Sequence, residues 1–104
     1  MLDITPEMFD AEVLKADTPV LLEFWAPWCG ICHTMKPLLQ AFADGAKDRV
    51  KLVFLNAQEY PDVANQYGIM ALPTFLVFRN GEVIGQHVGS LGEQDLVRLT
   101  GVTA

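Results

Sequence analysis

The fold of this protein is decided by residues 20–32, which have the sequence Val20-Leu21-Leu22-Glu23-Phe24-Trp25-Ala26-Pro27-Trp28-Cys29-Gly30-Ile31-Cys32. The first six residues form an apolar run that indicates a buried β-strand, and the next three end it. Cys29 and Cys32 then open a segment with helical spacing, so both thiols lie on one face of a first helical turn. Unpaired backbone N–H groups and the positive end of the helix dipole stabilise a thiolate there. The stretch therefore indicates thiol–disulfide exchange.

Length, composition and charge narrow the class of protein. The 104 residues fit one domain, and with 51% hydrophobic residues the chain can form a core without stabilising disulfides or metals. A disulfide across a four-residue ring stabilises a fold by only about 2 kcal/mol, so the two cysteines are poorly placed as a structural clamp. The net charge of −6, without a basic cluster, argues against nucleic acid as a partner. No apolar run is long enough for a membrane span, and residues 1–7 do not resemble a leader, so we expect a reducing, cytoplasmic setting.

The rest of the chain predicts alternating helices and strands. Strands are predicted at 20–25, 50–55, 74–78 and 82–88, and Asn80-Gly81 predicts a hairpin turn between the last two. Helices are predicted to begin at Pro6 after a capping Thr5, after Cys29 with an internal Pro37, at Pro61, and at Ser90, which forms a capping box with Glu93. This order predicts an α/β sandwich around a mixed sheet.

Several separated motifs resemble the thioredoxin family. They are the active-site signature at residues 24–32, the helix proline Pro37, the segment 69–74 around a family cis-proline, the hairpin at 78–81, and Val88-Gly89 beside the site. The resemblance implies a thioredoxin fold over residues 1–104, with a central mixed β-sheet flanked by helices on both faces. It also implies a cytoplasmic protein-disulfide reductase that needs no cofactor. Its partners would be disulfide-containing proteins and a thioredoxin reductase as electron donor, and the protein would act as a monomer, without nucleic acid or membrane.

The resemblance also implies the roles of the site residues. Cys29 would be the attacking thiolate and Cys32 the resolving thiol. A flat apolar surface around Cys29 would bind the substrate, and it would consist of Trp28, Gly30, Ile31, Leu72, Pro73 and Gly89. A cis bond before Pro73 would turn the backbone of Leu72 towards a substrate strand. Without the resemblance, Pro73 is simply a proline at the start of a strand.

Glu23 is a single acid within the apolar run, where burial of a charge is costly. Alternation places it on the same face as Leu21 and Trp25. An edge strand would let it reach solvent, but unbroken apolar runs are typical of strands buried on both faces. The family usually has an aspartate here that relays a proton for the resolving cysteine. Phe54 stands where some members have a lysine, so we expect Glu23 to lack its nearest cation.

Ile31 and His33 depart from the family pattern. Ile31 replaces a proline, which frees a backbone N–H in the first turn and is expected to make the protein a weaker reductant. His33 follows Cys32 where lysine or arginine is frequent, and it is either solvated or a charge that tunes the thiols.

Other functions remain open from the residues alone. Cys29-x-x-Cys32-His33 also matches a c-type haem attachment site, with Met70 as an axial ligand, but this would require export and a small helical fold. A zinc site from the same residues and His87 is a further alternative, although we expect no metal. A last alternative is a subunit with the thioredoxin fold that acts only as a scaffold, and the two intact cysteines argue against it.

Overall fold

The computed structural model describes residues 2–103, and its strands form one mixed β-sheet. The strands are β1 (Leu2–Asp3), β2 (Val20–Trp25), β3 (Lys51–Asn56), β4 (Thr74–Arg79) and β5 (Glu82–Val88). Their order across the sheet is β1-β3-β2-β4-β5, with β3 parallel to β1 and β2, and β4 antiparallel to β2 and β5. The apolar run at 20–25 is thus the central strand, which explains why it needs apolar residues on both faces.

Helices cover both faces of the sheet, as expected. They are α1 (Pro6–Phe9), which continues as a π-helical turn (Asp10–Leu14), α2 (Gly30–Gly45), α3 (Pro61–Gln66) and α4 (Glu93–Thr100). Within residues 2–103, no helix has both the length and the apolar character that a membrane crossing requires.

The sheet has an apolar core on each face, and successive residues of β2 point alternately into one core and the other. Leu22 and Phe24 pack with residues of α1 and α3, whereas Leu21 packs with Leu39 and Phe42 of α2. Truncating a buried leucine such as Leu39 to alanine costs about 2–5 kcal/mol. The even-numbered residues of β2 therefore face α1 and α3, and its odd-numbered residues face α2 and α4.

Local structure differs from the prediction at several element ends. Thr5 occupies the N-cap of α1 but its hydroxyl makes no capping hydrogen bond. The predicted capping box of Ser90 is wrong, because α4 begins after Gly92, whose N–H donates to Asp95 Oδ2 at 2.8 Å. The two-residue β1 was not predicted, since such a short strand exists only through its pairing with β3. The Asn80-Gly81 turn is confirmed, with φ of 52° and 79°.

Candidate active site

Cys29 is the N-cap residue of α2, at the end of the loop that leaves β2. Its backbone N–H donates to the carbonyl of Ala26 at 3.0 Å, which closes a turn before the helix. Its Sγ accepts a hydrogen bond from the backbone N–H of Cys32 at 3.2 Å. A sulfur in this position faces the donors of the first turn and the positive end of the helix dipole. The structure therefore places Cys29 where a thiolate is stabilised.

Cys29 and Cys32 are joined by a disulfide, with their Cα atoms 5.3 Å apart. Cys32 is 1% exposed and Cys29 is 6% exposed, while the neighbouring Trp28 and Ile31 project into solvent. The surface that the pair presents to another protein therefore belongs mainly to Cys29.

The N–H that reaches Cys29 Sγ belongs to Cys32 and not to Ile31. The N–H that Ile31 has in place of a proline was expected to act on the thiols, but it is not the donor to this sulfur. A side chain at the N-cap accepts a hydrogen bond from the backbone N–H of the second or third helical residue, and here the donor is the third residue, Cys32. Ile31 contributes a further first-turn N–H beside that bond.

Pro73 and Gly89 lie together at the start of β4. The Leu72–Pro73 peptide bond is cis, as the resemblance implied. The N–H of Gly89 donates to the carbonyl of Pro73 at 2.8 Å, and Thr74 Oγ1 donates to the carbonyl of Ala71 at 2.6 Å. The first bond joins the start of β4 to the turn that follows β5, and the second closes a turn within the segment that leads into β4.

A groove of about 330 Å³ lies beside the disulfide loop, and we call it the Trp28 groove. Its walls include Trp28 before α2, Pro61 and Ala64 of α3, and Ile69, Met70 and Leu72 before β4. The residues that line it within the described chain are all uncharged. Two of the predicted surface residues, Trp28 and Leu72, are thus brought together. The sequence did not predict the wall formed by α3, because α3 reaches this site only through the packing of segments that are distant in the chain.

Glu23 is almost completely buried at the centre of the sheet. It is 1% exposed, and its register partners are Phe54 on β3 and Phe75 on β4. Its position on β2 directs it to the face that α2 covers, and its Oε2 has no hydrogen-bond partner among the described residues. The edge-strand alternative is therefore wrong. Burial raises the pKa of Glu23 from its ordinary value of 4.5 to about 8.

Lys36 of α2 is the cation that acts on Glu23. Its positive charge lowers the Glu23 pKa and so opposes part of the effect of burial. Its Nζ lies 5.3 Å from the ring centroid of Trp25, two residues from Glu23 on the same strand face. As expected, β3 supplies no cation, because Phe54 lies alongside Glu23. No lysine or arginine of the described residues lies within ion-pair distance of Glu23, so Lys36 offsets burial only from a greater distance.

Comparisons with known proteins agree with this geometry. The family model described as Thioredoxin matches residues 1–100. The chain is 40% identical over 93 residues to "Thioredoxin 1" of Nostoc sp. and 41% identical over 93 residues to "Thioredoxin 1" of Synechococcus elongatus. Each alignment covers 89% of this chain and 87% of the relative. It is also 38% identical to "Thioredoxin M-type, chloroplastic" of Chlamydomonas reinhardtii, over 91% of this chain and 68% of that protein.

This chain belongs to the thioredoxin family. It has the thioredoxin fold, and Cys29 and Cys32 form a redox-active disulfide. The protein is a thiol–disulfide oxidoreductase of thioredoxin type, and proteins that contain disulfides are its general class of substrate.

The thioredoxin site does not suit the haem interpretation. His33 Nε2 lies 2.9 Å from the carbonyl of Pro27, and the two sulfurs are bonded to each other. Because a carbonyl only accepts, Nε2 of His33 must carry the proton in this contact. The His33 ring also packs edge-on against Trp25, with centroids 6.1 Å apart. His33 is therefore an exposed residue that links α2 to the loop before Cys29.

The residues of the alternative zinc site are engaged elsewhere. His87 Nε2 lies 2.9 Å from the carbonyl of Ser90, in the turn between β5 and α4. Within residues 2–103, no cluster of three or more His, Cys, Asp or Glu side chains is placed to hold a metal ion.

Proposed function

We propose that this protein reduces disulfides of other proteins through Cys29 as nucleophile and Cys32 as resolving thiol. The Cys29 thiolate attacks one substrate sulfur, forms a mixed disulfide and releases the other sulfur as a thiolate. Cys32 then loses its proton and attacks Cys29 Sγ, which releases the reduced substrate and closes the disulfide. The observation that supports these roles is the capping position of Cys29 in front of the more deeply buried Cys32. Both electrons move between sulfur atoms, so the reaction needs no cofactor in this domain.

Trapping the mixed disulfide tests these assignments. The Cys32→Ser variant should accumulate a covalent adduct with a peptide disulfide, because the resolving thiol is absent. The matched Cys29→Ser variant should form little adduct, since its remaining thiol is buried. Adduct formation is measured by mass spectrometry without added reductant. Equal trapping by both variants would contradict the division of roles.

We propose that Glu23 accepts the Cys32 proton during the resolving step. Glu23 faces α2, whose first turn contains Cys32, and its pKa of about 8 suits proton exchange near neutral pH. The glutamate retains the carboxylate that the family usually has as aspartate. Glu23→Gln should therefore slow decay of the mixed disulfide by about tenfold or more, with little change in its formation. Rapid-quench kinetics on both steps separate the two effects.

The proposed substrate surface surrounds Cys29 and comprises Trp28, Gly30, Ile31, Leu72, Pro73 and Gly89. Support comes from the exposure of Trp28 and Ile31, at 69% and 49%, and from the joint position of Trp28 and Leu72 in the Trp28 groove. An extended substrate segment would lie across this surface and pair with the backbone of Leu72. The Trp28→Ala variant should raise KM for peptide disulfides more than it lowers kcat.

The proposed electron donor is a thioredoxin reductase, and the proposed site of action is the cytoplasm, where the protein would act as a monomer. Support for a reducing compartment comes from cysteine usage, since both cysteines belong to the redox pair. NADPH consumption with a panel of flavoprotein reductases identifies the donor. Cell fractionation distinguishes the cytoplasm from an organelle, and light scattering measures the oligomeric state.

A further inference from the structure

Met70 is the most exposed of the large hydrophobic side chains in the described chain. It is 97% exposed and lies on the wall of the Trp28 groove, next to Ile69 and before Leu72. It packs into neither apolar core, so its side chain adds almost nothing to the stability of the fold. Met8 and Met35, by contrast, are partly buried against the two cores.

We propose that Met70 is an oxidative modification site whose sulfoxide weakens the docking of apolar substrate segments in the Trp28 groove. This inference rests on the proposed function, because it takes the occupant of the groove to be the chain that flanks the attacked disulfide. Trp28 lines the groove and immediately precedes Cys29 in the chain, so a segment that flanks a disulfide at Cys29 would lie in the groove beside Met70. Apart from Gln58 and Asn65, the lining residues are apolar, which favours apolar side chains in that segment.

The oxidant is hydrogen peroxide. The Met70 thioether sulfur attacks one peroxide oxygen, the O–O bond breaks and an S–O bond forms. The sulfur loses two electrons and becomes a sulfoxide, while the other oxygen takes up the proton and leaves as water. In the disulfide form Cys29 and Cys32 offer no thiolate to the same oxidant, so Met70 is the exposed sulfur of the site.

The sulfoxide changes binding without changing the fold. It replaces a flexible apolar side chain with a polar one, and a polar oxygen pressed against an apolar substrate loses water without gaining a partner. Methionine sulfoxide reductases reverse the change, so the groove would report peroxide exposure reversibly.

Limited peroxide treatment of the disulfide form, followed by peptide mapping, tests selectivity. The peptide containing Met70 should gain one oxygen about tenfold faster than those containing Met8 and Met35. The treated protein is then returned to the dithiol form and assayed with two peptide disulfides, one flanked by leucine and one by serine. We expect KM to rise about fivefold for the leucine peptide and to change little for the serine peptide. The thermal midpoint should be the same before and after treatment.

Two variants make the test specific. Met70→Leu keeps an apolar side chain that peroxide does not oxidise, so treated and untreated samples of this variant should have equal KM values. Met70→Gln introduces polarity without oxidant and should raise KM for the leucine peptide alone. Equal oxidation rates at the three methionines, an unchanged KM after Met70 oxidation, or the same loss in treated Met70→Leu would each overturn the inference. Failure of the untreated protein to reduce either peptide would instead overturn the proposed function, together with the docking role of Met70.

Discussion

Replacing Glu23 by glutamine should make the protein more stable in alkaline solution, by an amount that grows with pH. The side chain is 1% exposed at the centre of the sheet, and glutamine preserves its size while it removes the ionisable group. Burial raises the pKa of Glu23 from 4.5 to about 8. Because the folded pKa lies above the unfolded one, the folded protein holds this proton more tightly than the unfolded chain. Stability linked to Glu23 is therefore fully present below about pH 4.5 and is lost as the pH rises towards 8.

The size of the effect follows from the interval between the two pKa values. Each pH unit within the interval corresponds to about 1.4 kcal/mol of unfolding free energy. The ionisation of Glu23 therefore costs about 1 kcal/mol at pH 5, about 3 kcal/mol at pH 7 and nearly 5 kcal/mol at pH 9. Against a total stability of about 5–15 kcal/mol for a small domain, this is a large term. The difference in unfolding free energy between Glu23→Gln and the parent should increase by about 4 kcal/mol from pH 5 to pH 9.

Urea unfolding of both proteins at pH 5, 7 and 9 measures that difference. The disulfide form is used, so that neither cysteine titrates, and other ionisable groups cancel when the two proteins are compared at one pH. Glu82→Gln is the matched control, because Glu82 is exposed at the start of β5, and its difference from the parent should not grow with pH. A Glu23→Gln difference that changes by less than about 1 kcal/mol across this range would refute the assignment of a buried, protonated Glu23.

Four further results are expected. Alkylation of Cys29 in the Cys32→Ser variant should reach half its maximal rate at least about one pH unit below a free thiol, and a midpoint at or above that of a free thiol would contradict N-terminal stabilisation. Ile31→Pro should lower the reduction potential by about 30 mV in glutathione equilibration, since about 1.4 kcal/mol of thiolate stabilisation is lost; an unchanged potential would show that the Cys32 N–H suffices. Lys36→Met should shift the Glu23-linked loss of stability to higher pH, because the charge that lowers the Glu23 pKa is lost, whereas Lys36→Arg should not. The same dependence of stability on pH in both variants would show that Lys36 does not act on Glu23. Dithiothreitol should raise tryptophan fluorescence, and unchanged emission after confirmed reduction would place both indoles away from the disulfide.

The strand-to-helix junction could be predicted from sequence because it is local. An apolar run, a break and two cysteines three residues apart are enough to specify a buried strand followed by a helix that starts at a thiol. The burial of Glu23 followed from the same run, since a strand with apolar residues on both faces must lie inside a sheet. The structure confirms both, with β2 at the centre of the sheet and Cys29 at the N-cap of α2.

Competing local signals produced the errors at element ends. Ser90 and Glu93 have the spacing of a capping box, but at the start of α4 the backbone N–H of Gly92 donates to the carboxylate of Asp95 instead. The carbonyl of Ser90 instead meets His87 across the turn from β5. The sequence does not show which of two overlapping capping signals starts the helix, because the start depends on the direction in which the chain leaves β5.

Only the tertiary structure decided which side chains surround the redox pair. Lys36 reaches Trp25 and acts on Glu23 because α2 lies across the odd-numbered face of β2, a relation between separate elements. The Trp28 groove likewise combines the loop before α2, one side of α3 and the segment before β4. The sequence by itself determined the chemistry of Cys29 and Cys32, because helix position and spacing act within a few residues. The electrostatic partner of Glu23 and the shape of the docking surface depend on packing between distant segments, and such packing has no signature in any single stretch of the chain.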